Sequence, residues 1–533
     1  MSNDAETSAS NATKDASAAG SVSKSATKIG SLDPFSQSLI GSIPSMPAGR
    51  VGQKKAIDVY FSLLTEQKSE VFCDIGANKG EAGRRALATR PEMKVFGFEA
   101  NPKIHNLYRD INIDAGVNWV NFAIAHQPGA LTLYVPKVLS RTLKGETLVT
   151  RRVIEAEGTG KSSLLQRDET AEYEAVSVPA VTLDAFLHEN APDGRVALWI
   201  DVEGAASLVL QGALETLSRT DLIIIEVEGF AFWQNQALVR QVLDLLRDHG
   251  FAPILRDREY HDAQFNVICL REDPDLAAKQ QWIGRRIDEG QGKPEPLSSL
   301  QQSVTPATTP VLVPCFNNPT YAGNMLAQLQ AVGFEDITFV DNASDNPAML
   351  VWLEQASQSG AKVERLSENF GPLASIFTEQ RLASLPRWFC VTDPDLQFNV
   401  ALPPDFLQTL VDTLERHGHA KAGFALNIAN QRALRTDKFV IDRSSCHIWE
   451  WEQQFWKNRL DFTAGGDPVF EAAIDTTFAL YDKTLFKASQ FLKALRLGGR
   501  FTAEHLPWLA HPTMPEYEAT HYRARQKFSY YVR

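Results

Sequence analysis

A chain of 533 residues is too long for one ordinary domain and predicts roughly two to four. Hydrophobic residues make up 44% and charged residues 22%, a globular composition with material for more than one core. The net charge of −12 argues against a nucleic-acid partner, whose phosphates need a basic face.

The predicted elements begin with a tail. Residues 1–46 are dominated by Ser, Ala, Thr and Gly, cannot bury enough apolar surface to offset chain entropy, and are expected to be disordered. No charged start precedes an apolar core, so no signal peptide is expected. No run of about 18 apolar residues appears either, so no transmembrane segment is expected, and peripheral membrane association is left open. Five scattered cysteines without CxxC spacing suit a reducing, cytoplasmic setting.

From 47 to 275, short apolar runs alternate with helical patterns. Val71–Ile75, Lys94–Phe98, Val196–Ile200 and Asp221–Ile225 read as buried parallel strands, with helices over Ala206–Leu217 and Leu238–His249. This is the pattern of a doubly wound α/β sheet. Residues 276–308, rich in Gln, Pro, Gly, Ser and charge, read as a linker with a short helix allowed at Gln280–Asp288. A second α/β unit over 309–533 opens with the strands Val311–Val313, Ile337–Val340, Ala361–Val363 and Trp388–Val391.

In the first unit, Asp74-Ile75-Gly76-Ala77-Asn78-Lys79-Gly80 joins a strand to the helical Glu81–Thr89. Glycine there lets backbone pass close to a ligand, and the helix start offers free N–H groups. The next strand ends in Glu99-Ala100-Asn101-Pro102, which places Glu99 to accept hydrogen bonds from two ribose hydroxyls. Asp74 would repel a pyrophosphate but suits the ammonium and sulfonium of S-adenosylmethionine. The candidate cofactor residues are therefore Asp74, Gly76, Asn78, Gly80, Glu99 and Asn101. Asp201 and Glu203 follow a strand with side chains on one face, placed to orient an acceptor hydroxyl, hold a metal or take a proton. The plainer alternative is that Glu203 caps or ion-pairs the next helix. Glu226 and Glu228 form a weaker second acidic pair.

These motifs, continued by Val181–Asp184, Ile200–Ala205 and Phe265–Val267, resemble the FkbM-type methyltransferases over about 200 residues. The resemblance implies a Rossmann-like domain that methylates a hydroxyl oxygen of a sugar or related metabolite. Trp199 stands where that family often has lysine.

In the second unit, Asp341, at a strand end and followed by Asn342-Ala343-Ser344, is positioned for a nucleotide base and ribose. Asp393-Pro394-Asp395 ends a strand in two carboxylates one residue apart, which suits Mg²⁺ or Mn²⁺ holding the diphosphate of a sugar nucleotide. With Pro314–Asn318 and Ser367–Pro372, these motifs resemble family-two-like GT-A glycosyltransferases over about 310–508. The resemblance implies inverting transfer with a carboxylate base, for which Asp475 is the candidate. The usual Glu-Asp pair is absent, and an N-cap or turn role for Asp475 is the alternative. Asn317, Asp341, Asn369 and Asp393 are the candidate nucleotide-sugar ligands, and His505 joins Asp393 and Asp395 as a candidate metal ligand. Trp449, Trp451, Phe455 and Trp456 have the spacing of helix core rather than of a sugar platform.

The expected protein is thus an α/β enzyme with two transferase halves: a Rossmann-like methyltransferase domain, then a GT-A glycosyltransferase domain. It would use S-adenosylmethionine, a nucleotide sugar with Mn²⁺ or Mg²⁺, and a glycan or sugar acceptor in surface polysaccharide assembly. The competing readings are one active half with a docking partner half, or a nucleotide-sugar-binding scaffold without turnover.

Overall fold

The computed structural model describes residues 32–136, 138–143, 146–153, 162–166, 173–273, 276–289, 304–441 and 444–527. Its first large sheet has seven strands in the order Phe251–Arg256, Gln264–Arg271, Thr220–Glu228, Arg195–Ile200, Ser69–Ile75, Lys94–Phe98, Asn118–Val120. The five strands from Thr220–Glu228 to Asn118–Val120 run parallel, while Gln264–Arg271 is antiparallel to both of its neighbours. Their runs are buried almost throughout because helices cover both faces. The helix Val239–Asp248 shows why: it buries Val239, Val242, Leu243 and Leu246, one stripe at helical spacing. The strand order reverses between Ser69–Ile75 and Arg195–Ile200, and a crevice opens at the carboxyl ends of strands at such a reversal.

The second sheet has nine strands in its main order, from Lys362–Arg365 through Ile337–Asp341, Val311–Cys315 and Trp388–Val391 to Ala479–Asp482, Lys421–Leu426, Leu495–His505, Pro468–Glu471 and Arg459–Phe462. Leu396–Phe398 pairs separately with Leu495–His505. The first four strands are parallel, and Val311–Cys315 lies beside Trp388–Val391, so a second reversal sits at the strand end that carries Asp393.

Two segments differ from the sequence expectation. Residues 1–31 of the predicted tail lie outside the described residues, but Pro34–Ser42 is a helix. Asp33 caps it by accepting from the N–H groups of Phe35 and Ser36, at 3.0 Å each. Leu39, Ile40 and Ile43 join the core of the first half, while Gly41 lies so close to Trp456 of the second half that a side chain there would make the ring give by a few tenths of an ångström. In the predicted linker the helix allowed at Gln280–Asp288 is present but longer, Leu276–Glu289, and it puts Ile283 and Ile287 into the first half's core. In both places a few apolar side chains find a core that the polar composition around them hides. All five cysteines are free, four of them buried.

Candidate functional sites

The first cleft lies at the strand reversal of the first sheet and encloses a cavity of about 60 Å³. It is lined by Gly76, Asn78, Glu99, Asp201 and Glu203 from the strand ends, and by Phe122, Leu133, Ser162, Ser163 and Leu164 from the flanking segments. Gly76 has φ +81, and a side chain there would run into the Asp201 carbonyl, so only glycine lets the two strand ends close up. Asn78 shares the left-handed conformation, and its N–H donates to Glu99 Oε2 at 2.7 Å. Glu99 Oε1 accepts from Asn101 N, also at 2.7 Å. Burial pushes the Glu99 carboxyl up to about 7 against these two hydrogen bonds, which favour its ionised form.

Three of the expected cofactor residues stand elsewhere. Asp74 does not line the cleft: it is buried and accepts from Gly83 N at 2.9 Å, at the start of the helix Glu81–Thr89. Burial, with Asp201 nearby, pushes it up to about 7. Asn101 caps the helix Pro102–Asp114 through Lys103 N, and its amide donates to Ser162 Oγ at 3.3 Å, which fastens the far wall. Gly80 is the helix cap, packed on Asn112. In each case a main-chain donor or a packing neighbour, invisible in the sequence, takes up the residue.

Asp201 and Glu203 both reach the cleft. Glu203 adopts φ +46, unusual for a side-chain-bearing residue; Ser163 Oγ donates to its carbonyl at 2.7 Å and Gln264 Nε2 to its carboxylate at 3.3 Å. Burial and the nearby Glu203 push the Glu228 carboxyl upward, so the weaker acidic pair contributes one member to this end. Trp199 faces the opposite side of the sheet, stacked on Phe61 at 5.8 Å, and so bears on packing rather than on the cleft. The serine wall 162–164 was missed in the sequence because no periodic pattern marks it.

In the second half, Asp395 Oδ2 lies 3.6 Å from His505 Nε2, and Asp395 Oδ1 is buried with no hydrogen-bond partner among the described residues. Asp393 accepts from Thr476 Oγ1 at 2.6 Å; burial, with Asp395 and Asp475 facing it, holds its carboxyl well above the usual range. Among the described residues no three acidic, histidine or cysteine side chains converge to hold a metal ion unaided. An orphaned Asp395 oxygen beside an imidazole fits an ion whose remaining ligands are substrate phosphates and water.

Asp475 is open to solvent yet ringed by protein, as a carboxylate in a recess is. Burial works against its ionisation, but Arg496 and Lys421 outweigh it and hold the carboxyl below the usual range. Lys421 is fully buried beneath this loop, donating to the carbonyls of Ile474 at 2.8 Å, Asp475 at 2.9 Å and Phe491 at 3.3 Å, and burial pulls it down to about 7. Arg496 pairs with buried Glu452 and donates to Ala473 O at 2.6 Å. Sequence reading missed this support, although a lysine opening an otherwise apolar strand was a signal.

Three expected nucleotide ligands are engaged internally. Asn317 uses its amide on Asp345 and Asn346, binding one strand-end loop to the next. Asp341 is buried, accepting from Ser344 N and from Arg365 at 3.2 Å. Asn369 bonds Gly371 N at 2.9 Å. Trp456 is core, packed on Phe470.

A family model described as the methyltransferase FkbM domain matches residues 74–253, and one described as glycosyl transferase family 2 matches 311–482. The chain is similar to the 2-O-methyltransferase NoeI of Sinorhizobium fredii (strain NBRC 101917 / NGR234), 28% identical over 192 residues, which is 34% of this chain and 73% of NoeI. Solved structures with some likeness include a precorrin-6y C5,15-methyltransferase from Geobacter metallireducens GS-15, 15% identical over 42% of this chain and 88% of that one, TM-score 0.22. Another is TarS residues 1–349 of S. aureus, 17% identical over 33% of this chain, TM-score 0.20. The chain spans 47% of that TarS structure, less than half its length. The protein is therefore a transferase of two kinds, joining an FkbM methyltransferase domain to a family 2 glycosyltransferase domain.

Proposed function

We propose that the first cleft methylates a hydroxyl of a sugar or glycan and that the second site adds a sugar with inversion from a nucleotide donor, both in building a surface polysaccharide or glycoconjugate. The observation that carries the first half is the meeting of Glu99, Asp201 and Glu203 in one cleft at the strand reversal. The similarity to a protein named as a 2-O-methyltransferase supports oxygen as the acceptor atom. S-adenosylmethionine, when bound, supplies an electrophilic methyl group. Glu99 holds the ribose hydroxyls, the Gly76 main chain allows close approach, and Asp201 with Glu203 orients the acceptor hydroxyl and takes its proton.

In the second half, Asp395 and His505 are the proposed holders of Mn²⁺ or Mg²⁺, with Asp393 toward the nucleotide ribose. The ion, when bound, offsets charge growing on the leaving diphosphate. Asp475 takes the proton of the acceptor hydroxyl; its lowered carboxyl is already ionised at neutral pH. The test is donor cleavage across a panel of nucleotide sugars. Chelation should abolish it, added Mn²⁺ or Mg²⁺ should restore it, and Asp395→Asn should mimic chelation while S-adenosylmethionine still binds. Full turnover in excess chelator would sink the metal-dependent reading. A cationic side chain would then have to stabilise the leaving diphosphate; of the candidates Arg500 and Arg523, Arg500 is buried against Asp467 at 2.8 Å.

A further inference from the structure

Between the halves lies a buried charge cluster that neither site uses. Arg256 and Asp262 of the first half are 1% and 6% exposed, with Nη1 3.1 Å from Oδ1. Arg459, which opens the strand Arg459–Phe462 of the second half, donates to the other Asp262 oxygen. Arg258 lies over the Phe462 ring, 3.3 Å from its centre. The residues just past the amino-terminal helix strap the cluster: Arg256 N donates to Pro44 O, and Met46 N to Arg256 O, both at 2.9 Å. Burial opposes ionisation of Asp262, but Arg256 and Arg459 outweigh it and hold the carboxyl below its usual range.

The Asp262 segment also reaches the first cleft, through Gln264 and the Glu203 side chain that lines it. Its carbonyl sits where a side chain on Gly229 would have to go, 2.1 Å from such a Cβ, and Gly229 N donates to Ala263 O at 3.0 Å. Gly229 follows Glu228 directly. Two residues beyond Asp262, Gln264 donates to the Glu203 carboxylate inside the cleft. Glu203 holds an unfavourable backbone conformation, which persists only while its neighbours enforce it.

We propose that Arg459, a residue of the glycosyltransferase half, is a positioning residue for the methyltransferase cleft: by fixing Asp262 it holds Gln264 and Gly229, and through them Glu203. The proposal rests on the reading of Glu203 as part of the methyl-transfer site.

The test uses the full chain carrying Arg459→Ala, Arg459→Lys, Gln264→Leu and the Arg459→Ala/Gln264→Leu double substitution. S-adenosylmethionine affinity is measured by calorimetry, and amide hydrogen exchange is followed at Glu203 and Gly229. Arg459→Ala should weaken the cofactor about threefold to tenfold, the scale of couplings carried through a contact network. It should also speed exchange at both amides, leave UDP–Mn²⁺ binding unchanged, and be partly rescued by Arg459→Lys. Gln264→Leu should weaken the cofactor similarly, and the double substitution should be less than additive. Unchanged affinity and unchanged exchange at Glu203 and Gly229 in Arg459→Ala, or strict additivity, would overturn the proposal. If Arg459→Ala fails to fold, Arg459→Gln, which keeps most of the side chain but not the charge on Asp262, is held to the same outcomes. If the unaltered chain binds no S-adenosylmethionine, the cofactor reading fails, and exchange at the two amides still decides this one.

Discussion

Glu99 keeps two backbone N–H groups on its carboxylate and still faces the cleft. Glu99→Ala should therefore weaken S-adenosylmethionine binding by about 1.5–3 kcal/mol, the range for hydrogen bonds to a charged group, as calorimetry would read. The same residue predicts a pH effect. Its folded carboxyl titrates near 7, above the ordinary 4.5, so the folded state holds the proton more tightly. This group thus favours folding at low pH, and that contribution is lost as pH rises through the window. Melting curves should show Glu99→Gln gaining on the unaltered chain between about pH 5 and about pH 7.5. In the second half, Asp475→Asn should cut sugar transfer by about 10²–10⁴-fold, the scale for a general base, with UDP–Mn²⁺ affinity nearly unchanged. An equal loss of affinity would make Asp475 a ligand instead. The strand-end positions of Glu99, Asp201 and Asp395 were legible because local pattern fixes where a strand stops. The engagement of Asp74, Asn101, Asn317 and Asp341 was not, since each answers to a partner many residues away or to a main-chain donor.

The amino-terminal helix is the element with the most to test. Its start was readable in principle, since Asp33-Pro34 is a capping pair and Phe35, Leu39, Ile40 and Ile43 follow at near-helical spacing. The surrounding Ser, Ala and Gly masked it in a reading by composition. Leu39 is fully buried, so Leu39→Ala should cost about 2–5 kcal/mol, the range for a large-to-small core change. Chemical denaturation checks this; a cost near zero would show that the helix is a loose appendage. The element also shows that polar surroundings do not define a linker. The helix Leu276–Glu289 carries only a few apolar residues, yet Ile283 and Ile287 place it in the core.

At the scale of the molecule, the sequence showed two alternating series and a polar stretch between them, which suggests halves that fold apart. Their docking was illegible because it is built from distant pairs such as Asp262 with Arg459 and Ala429 packed on the first half's core. Fragments 47–275 and 305–533 each lose the amino-terminal helix and bare an apolar face, so each should aggregate or melt early. Fragments 32–289 and 304–533 made together should co-purify through size exclusion. A monomeric, fully stable 47–275 fragment would show the docking to be dispensable.

That helix also sets an order of events during synthesis. It is made before the second half, but Ser45 meets Gly466 across 421 residues of chain. At roughly 5–20 residues per second, the first half waits about 20–80 s for the surface that covers its flank. Through that interval Gly41 and its neighbours stand open to chaperones and proteases. Slowed translation between the two halves should therefore lower the yield of folded protein more than slowing elsewhere.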